Sequence, residues 1–281
     1  MISPKFREES RETTFLQKAV LLHQIRIMEF DKDLITGLEI EYDSGSIPPP
    51  FSNVYRLVLD WSTEDLTAEL ILHYTDREEL SEQEILDEGF TLEDDYSATL
   101  TLDSAWKQPV FRLLKATKWN SKQLKDEGIS LALIEKDQKD SKPKIPVDQE
   151  GWKLMGQDLI QAIYETNKKE APLQIQFRVA DSDSIKDGKI TVHFSSRKVL
   201  FLSGQIQREL NWEYAIQLMK LIFMPDYNYE IAKEEAGKKR GVYLECGDGF
   251  WHELGKGVTN IDSDYDAVSK MREGFEALLK D

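Results

Sequence analysis

The sequence predicts an α+β protein with two antiparallel-rich sheets, each packed by one or two amphipathic helices. Three observations support this fold class. Apolar and polar side chains alternate over several short segments in both halves of the 281-residue chain, which is typical of half-buried strands. Each half also contains an apolar stripe at helical spacing that begins at a tryptophan, Trp106 or Trp212. Between the halves, residues 137–148 contain two prolines and six charges, with little to bury.

We therefore expect two closely packed parts, residues 13–136 and 149–281, joined by a linker or exposed loop at 137–148. Hydrophobic residues make up 40% of the chain, enough to bury a sizeable core. The first dozen residues are charged throughout and no long apolar segment follows, so no secretory signal is expected and a cytoplasmic location is predicted. The most apolar run, 212–224, is too short and too interrupted to cross a membrane.

Alternation predicts the strands of both parts. In the first part, the first four strands are expected to form an antiparallel meander, beginning with a hairpin of 23–30 and 35–42. In the second part, 189–194 and 198–203 are expected to pair across a short turn. The predicted strands are 23–30, 35–42, 54–61, 65–74, 96–102, 129–135, 173–179, 189–194 and 198–203.

Helical spacing of apolar residues predicts four longer helices. Asp148 is expected to cap the second, Asn211 to cap the third, and Pro225 to end the third. The predicted spans are about 104–117, 151–168, 211–223 and 264–279. Between the last two helices, 241–254 is predicted to form a hairpin around Gly247 and Asp248.

A fifth, short helix is predicted after Ser81, because Ser81 and Glu84 have the spacing of a capping box. Gly89 supplies the stop signal. This helix can bury only Ile85 and Leu86, so its other side chains are expected to face water.

The negative charge of the protein is concentrated around this helix, in residues 60–95, which we call the acidic segment. The acidic segment contains fourteen Asp and Glu residues and one basic residue, Arg77, and so carries a net charge of −13. The whole chain carries −16, so the remaining residues are nearly balanced. Such a chain is repelled by phosphates and anionic lipid, so neither direct nucleic-acid binding nor membrane binding is predicted.

The leading functional hypothesis is an intracellular interaction or regulatory protein that uses the acidic segment to bind a basic protein partner. Imitation of nucleic-acid phosphates is a special case of this hypothesis. The same charge is also consistent with a solvated face that aids solubility, or with a Mg²⁺ or Ca²⁺ cluster at Glu93, Asp94 and Asp95. The predicted partner-binding residues, which we call the acidic surface, are Glu82, Glu84, Asp87, Glu88, Glu93, Asp94 and Asp95.

Cys246 and His252 are the candidates for a nucleophilic thiol with an adjacent imidazole. A two-residue turn at Gly247 and Asp248 would place the two side chains on opposite faces of the hairpin, with His252 opposite Tyr243. That register predicts a half-buried thiol and a surface histidine.

A second weak candidate is a calcium loop. Asp262, Asp264, Asp266 and Glu273 have the spacing of positions 1, 3, 5 and 12 of the twelve-residue loop. However, Ala267 replaces the glycine that the loop needs for its bend. Capping of the last helix by its preceding acidic residues is the favoured interpretation, and no metal site is predicted.

Three histidines, His23, His73 and His193, lie in predicted strands and would meet as metal ligands only if those strands were neighbours. The chain contains no G-x-S-x-G, no glycine-rich phosphate loop and no H-E-x-x-H, and no cofactor is predicted. The alternative to a binding protein is an enzyme with a metal or carboxylate site in a cleft between the two sheets.

Overall fold

The computed structural model describes residues 34–120, 127–136 and 142–280. Within these ranges, five α-helices and four antiparallel sheets form an α+β fold, which confirms the predicted fold class. The predicted strand 23–30 and His23 lie outside the described residues. The predicted hairpin of that strand with 35–42 is wrong, because residues 54–60 and 128–135 already pair with the two sides of this segment.

The predicted strands and helices of the described ranges are present, with several shorter strands in addition. The strands are β1 (Ile35–Asp43), β2 (Asn53–Asp60), β3 (Leu66–Tyr74), β4 (Tyr96–Leu102), β5 (Trp119–Asn120), β6 (Gly128–Glu135), β7 (Ile145–Pro146), β8 (Leu173–Ala180), β9 (Ile185–His193), β10 (Lys198–Ser203), β11 (Ile206–Leu210), β12 (Asp226–Tyr227), β13 (Gly241–Glu245), β14 (His252–Glu253) and β15 (Val258–Thr259). The helices are α1 (Glu82–Asp87), α2 (Lys107–Ala116), α3 (Gln149–Thr166), α4 (Trp212–Ile222) and α5 (Ala267–Leu278), with 3₁₀ turns at Arg77–Glu79, Ser104–Trp106 and Tyr229–Ile231.

The first sheet has five strands in the order β4-β3-β2-β1-β6. Strands β1 to β4 form a consecutive meander, and β6 pairs with the free side of β1. Alternate side chains of each strand face the core, so Leu38, Leu57 and Leu70 are fully buried. Helix α3 crosses this inner face and contacts both β6 and β4.

The second sheet has six strands in the order β11-β10-β9-β8-β13-β14 and is packed by α4 and α5. Phe177 stacks between Phe201 and Phe275, with ring centroids 6.2 and 4.2 Å apart. Gly188 of β9 lies directly beneath the Phe177 ring, where a Cβ atom would come within 2.3 Å of the ring. Asn211 and Asp266 cap α4 and α5 through their side-chain oxygens.

Aromatic side chains fill the junction between the two sheets. The Trp106 indole donates its Nε1–H to the carbonyl of Phe194 at 2.8 Å and packs edge-to-face against Trp212. Phe194 also packs against Trp212, and the Arg197 guanidinium lies 5.0 Å from the Trp212 ring. Trp106, Phe194 and Trp212 belong to one hydrophobic core that extends through both parts of the chain.

The second half of the predicted linker, from residue 142 onward, is tied to the first part by backbone hydrogen bonds. Lys144 forms a two-way bridge with Leu131, and β7 pairs with β5. Asp148 then caps α3, as predicted, by accepting from the Gly151 amide at 2.9 Å.

Candidate acidic docking surface

Helix α1 is built as the sequence predicts. The Ser81 hydroxyl accepts from the Glu84 amide, and the Glu84 carboxylate accepts from the Ser81 amide at 2.8 Å, which completes the capping box. Gly89 follows the helix with a positive φ of 82°, which favours glycine. Ile85 is buried, but Leu86, also expected to be buried, is 45% exposed.

Arg77, the one basic residue of the acidic segment, holds the loop between α1 and β4. Its Nη1 donates to the carboxylate of Asp94 and to the carbonyl of Thr91, both at 2.9 Å. The guanidinium carbon lies 3.9 Å from the centre of the Tyr74 ring and 4.8 Å from that of Phe90. Only 13% of the Arg77 side chain is exposed, so this cation is enclosed by the groups that it binds.

Asp94 and Asp95 are the acceptors that fasten this loop. Desolvation acts to raise the pKa of Asp94, but hydrogen bonds from Thr91 and Arg77 together outweigh it and hold this pKa below its ordinary value. Asp95 accepts from His73 Nδ1 at 2.7 Å and from the amide of Tyr74 at 2.8 Å. The hydrogen bond from His73, followed by that from the backbone, lowers the pKa of Asp95.

The structure thus divides the acidic surface into two groups. Glu84, Asp94 and Asp95 accept hydrogen bonds that shape the helix and the loop. The other members point their carboxylates outward as exposed side chains, and the Asp87 carboxylate also accepts from Gln83 in the same helix. These four outward-pointing members are Glu82, Asp87, Glu88 and Glu93, although Glu84 and Asp95 are also exposed.

Exposed apolar side chains lie among these carboxylates, a feature that charge counting alone did not find. Leu86 in α1 and Leu92 in the following loop are 45% and 56% exposed. Phe51 is 47% exposed and packs its ring edge-to-face on Phe90, 5.3 Å away. Protein interfaces commonly combine apolar anchors with a charged rim, and this surface offers both.

A recess of about 450 Å³ lies beside the loop, at the ends of β1, β2, β3 and β6. His73 lines the recess and also binds Asp95, so the recess adjoins the acidic surface. Glu41, Asp43 and Glu127 also line it and extend the negative charge across this end of the sheet.

Acid titration tests the structural role of Asp94 and Asp95. Their pKa values are lowered in the folded protein, so their contribution to stability is complete above the unfolded value of about 3.9 and is lost as the pH falls through the folded values. The double variant Asp94→Asn, Asp95→Asn is therefore expected to lose less stability than the wild type between about pH 5 and pH 2. Urea midpoints measured across this range check the prediction. Glu93→Gln, a change at an exposed neighbour, should leave the wild-type slope intact, and equal slopes for the double variant would contradict the assigned role.

The hairpin that carries Cys246 and His252 differs from the predicted register by one residue. The structure pairs Tyr243 with Glu253 and Leu244 with His252, so the predicted pairing of Tyr243 with His252 is wrong. The buried Glu245 carboxylate accepts from two amides of the turn, those of residues 247 and 249, and this turn is wider than the predicted two residues. As a result His252, predicted to be a surface residue, is 0% exposed.

Asp248 is the centre of the polar cluster in this hairpin. Its Oδ2 lies 3.0 Å from His252 Nε2, 3.1 Å from the Tyr229 hydroxyl and 3.9 Å from Cys246 Sγ. Burial, followed by the charge of Asp248, raises the pKa of the half-buried Cys246 thiol to about 12. A thiol with this pKa stays protonated near neutral pH, whereas a nucleophilic cysteine requires the thiolate.

The predicted calcium-loop residues lie before and within α5, which Asp266 caps. Asp266 accepts from the Ser269 amide at 2.9 Å, and this hydrogen bond, followed by side-chain hydrogen bonds with Ser269 and Asn260, lowers the pKa of Asp266 to about 2. Residues 267–273 are already helical, so Glu273 lies on α5 and not in a loop. The carboxylate of Asp262 accepts from the amide of Asp264. The helix begins where the calcium loop would need its glycine bend.

His73 and His193 lie in different sheets, on β3 and β9. Among the described residues, no group of three or more His, Cys, Asp or Glu side chains is arranged to hold a metal ion. No helix within the described residues is long and apolar enough to span a membrane. Comparison with protein-family models, with curated proteins and with solved structures finds no match to this chain.

Proposed function

We propose that this chain is an interaction or regulatory protein that binds a basic protein partner through the acidic surface. The observation that carries the proposal is the presentation of exposed carboxylates and exposed apolar side chains on one folded, braced element. Arg77, Asp94 and Asp95 fix the loop from within, which leaves Glu82, Glu88 and their neighbours directed outward.

A solvated face that only aids solubility does not require a loop held in a fixed shape or apolar side chains exposed beside the carboxylates. Solubility requires charge, but it requires neither a largely enclosed arginine that organises a loop nor leucines exposed beside the carboxylates. The concentration of charge is also local, since the acidic segment carries −13 of the −16 net charge. A local negative field accelerates encounter with a basic surface and fixes its orientation, while apolar anchors add affinity.

The experiment removes charge from the acidic surface without disturbing its scaffold. The site variant carries Glu82→Gln, Glu88→Gln and Glu93→Gln, three exposed carboxylates outside the capping box and the Arg77 contacts. The matched control carries Glu209→Gln, Glu230→Gln and Glu234→Gln, three exposed carboxylates in the second part of the chain. Both variants have the same net charge, so a difference in their affinity for a basic probe must come from the location of the removed charges.

We expect the site variant to bind a lysine-octamer probe about tenfold more weakly than the wild type at low salt, and the control variant to bind nearly as the wild type does. Added salt should reduce the difference, because exposed charges are screened. Surface plasmon resonance on each variant measures both effects. Affinity capture from extracts of the source cells should lose a partner with the site variant and retain it with the control. Equal weakening in both variants would show that net charge alone attracts the probe, and the proposed docking surface would be wrong.

A further inference from the structure

Strand β4, which directly follows the acidic surface, is an edge strand of the first sheet. Its inward-facing residues Ala98 and Leu100 are only half-buried, although their partners on β3, Leu70 and Ala68, are fully buried. The outward-facing residues of the strand are exposed. Within the described residues, no strand pairs with the side of β4 that faces away from β3.

The hydrogen-bond pattern shows which backbone groups this open side presents. The amide of Thr75 donates to the carbonyl of Ser52, so odd-numbered residues of β3 bond towards β2 and even-numbered residues bond towards β4. The amide of Tyr74 fits this pattern, because it points to the β4 side and donates to Asp95. On β4, the even-numbered residues consequently bond to β3. The residues that direct their N–H and C=O groups outward are Ser97, Thr99 and Thr101.

The sequence of strand β4 has none of the residues that usually protect an edge. It contains no lysine, no proline and no charged residue, and its exposed side chains are serine and threonine, of which threonine suits strands well. The other edges differ. The free side of β6 is bridged by Lys144, β14 is two residues long, and β11 carries Arg208 and Glu209.

We propose that the basic partner adds an extended segment to β4 as an antiparallel sixth strand, so that main-chain hydrogen bonds complete the docking site. An antiparallel segment would end beside the first residues of β4, where Glu93, Asp94 and Asp95 lie. Lysine or arginine at the C-terminal end of that segment complements these carboxylates. A second copy of this chain is a poor occupant, because it brings another −16 of net charge to the edge. This inference rests on the proposed function, since it assigns the binding mode of the same partner.

The probe is the synthetic peptide Thr-Val-Thr-Val-Thr-Lys-Lys-Lys, which alternates β-forming residues and ends in lysines. Its control is the same peptide with backbone N-methyl groups on alternate residues, on the side that would face β4. Methylation removes the donors and blocks the approach, while the charge and the side chains stay the same. We expect the methylated peptide to bind at least about tenfold more weakly.

The protein variants Thr99→Pro and Thr99→Ala test the same contact from the other side. Proline removes the outward N–H of Thr99 and spares the ladder to β3, and prolines are tolerated at such edge positions. Thr99→Pro should weaken the unmethylated peptide about tenfold, and Thr99→Ala, which keeps the N–H, should bind it as the wild type does. In the wild type, the peptide should slow hydrogen exchange of the Thr99 amide.

The methylated peptide decides the outcome, because it is tested on the unaltered protein. Equal binding of the two peptides, or no binding of the unmethylated one, would overturn strand addition. If the two peptides bind equally and the variant with three glutamines in the acidic surface still weakens both, strand addition fails and the docking proposal stands. If methylation weakens binding while that variant binds as its control does, the edge is used without the acidic surface and the proposed function fails.

Discussion

Replacing Trp106 by alanine is expected to lower the free energy of unfolding by about 3–5 kcal/mol. Trp106 is 1% exposed and lies at the junction of the two sheets. The substitution removes its packing against Trp212 and leaves the Phe194 carbonyl without the indole N–H that it accepts. The buried cavity and the lost donor act in the same direction, because both penalise only the folded state. Urea unfolding at neutral pH measures the change.

Trp106→Phe separates the two effects. It retains an aromatic ring but not the N–H, so it should cost about 1–3 kcal/mol. Leu154→Ala, at an exposed position on α3, serves as the control and should stay within about 0.5 kcal/mol of the wild type. If Trp106→Ala costs no more than Leu154→Ala, the two sheets are not held together at this junction.

The sequence predicts best those helices and strands in which the repeat of apolar residues matches the face that is buried. Strands β4 and β10 begin and end where alternation predicts, because each has one face on the core and one on solvent. Helices α3 and α4 follow the predicted caps at Asp148 and Asn211, since the capping side chain is itself visible in the sequence.

The elements that were missed break the apolar pattern for identifiable reasons. Strand β11 has Arg208 at an inward position, where its guanidinium packs over the Phe201 ring, so the alternation is hidden. The first half of β9 was not predicted because Gly188 stands where the Phe177 ring needs space. In both cases a side chain from another strand supplies the packing, and no local pattern records it.

The sequence shows which acidic residues form the acidic surface. It does not show which of them hold the loop in place and which face solvent. Asp94 and Glu93 are adjacent acidic residues with the same charge, yet Asp94 binds the enclosed Arg77 and Glu93 faces solvent. The register of the Cys246 hairpin failed for a related reason. Glu245 is the last residue of strand β13, but its carboxylate also binds two turn amides and sets the length of the turn.

Arg77 contributes more to stability than its single charge, because it holds the loop of the acidic surface in place. Arg77→Ala is therefore expected to destabilise the protein by about 2–4 kcal/mol. The substitution leaves the partly buried Asp94 carboxylate without its cation and removes the guanidinium that packs against the Tyr74 and Phe90 rings. It also removes the donors to the carbonyls of Thr91 and Pro50. Urea unfolding at neutral pH measures the loss.

Arg77→Lys should recover less than half of this loss, because a lysine ammonium is a point donor and cannot span the carboxylate, two carbonyls and two ring faces as the planar guanidinium does. The control is Arg112→Ala, whose exposed side chain makes a long ion pair with Glu213, and it should change stability by less than about 0.5 kcal/mol. A small effect of Arg77→Ala, equal to that of Arg112→Ala, would mean that the loop keeps its shape without the arginine. The acidic surface would then lack the internal brace on which its role as a preformed docking site depends, since binding would have to order the loop at a cost in affinity.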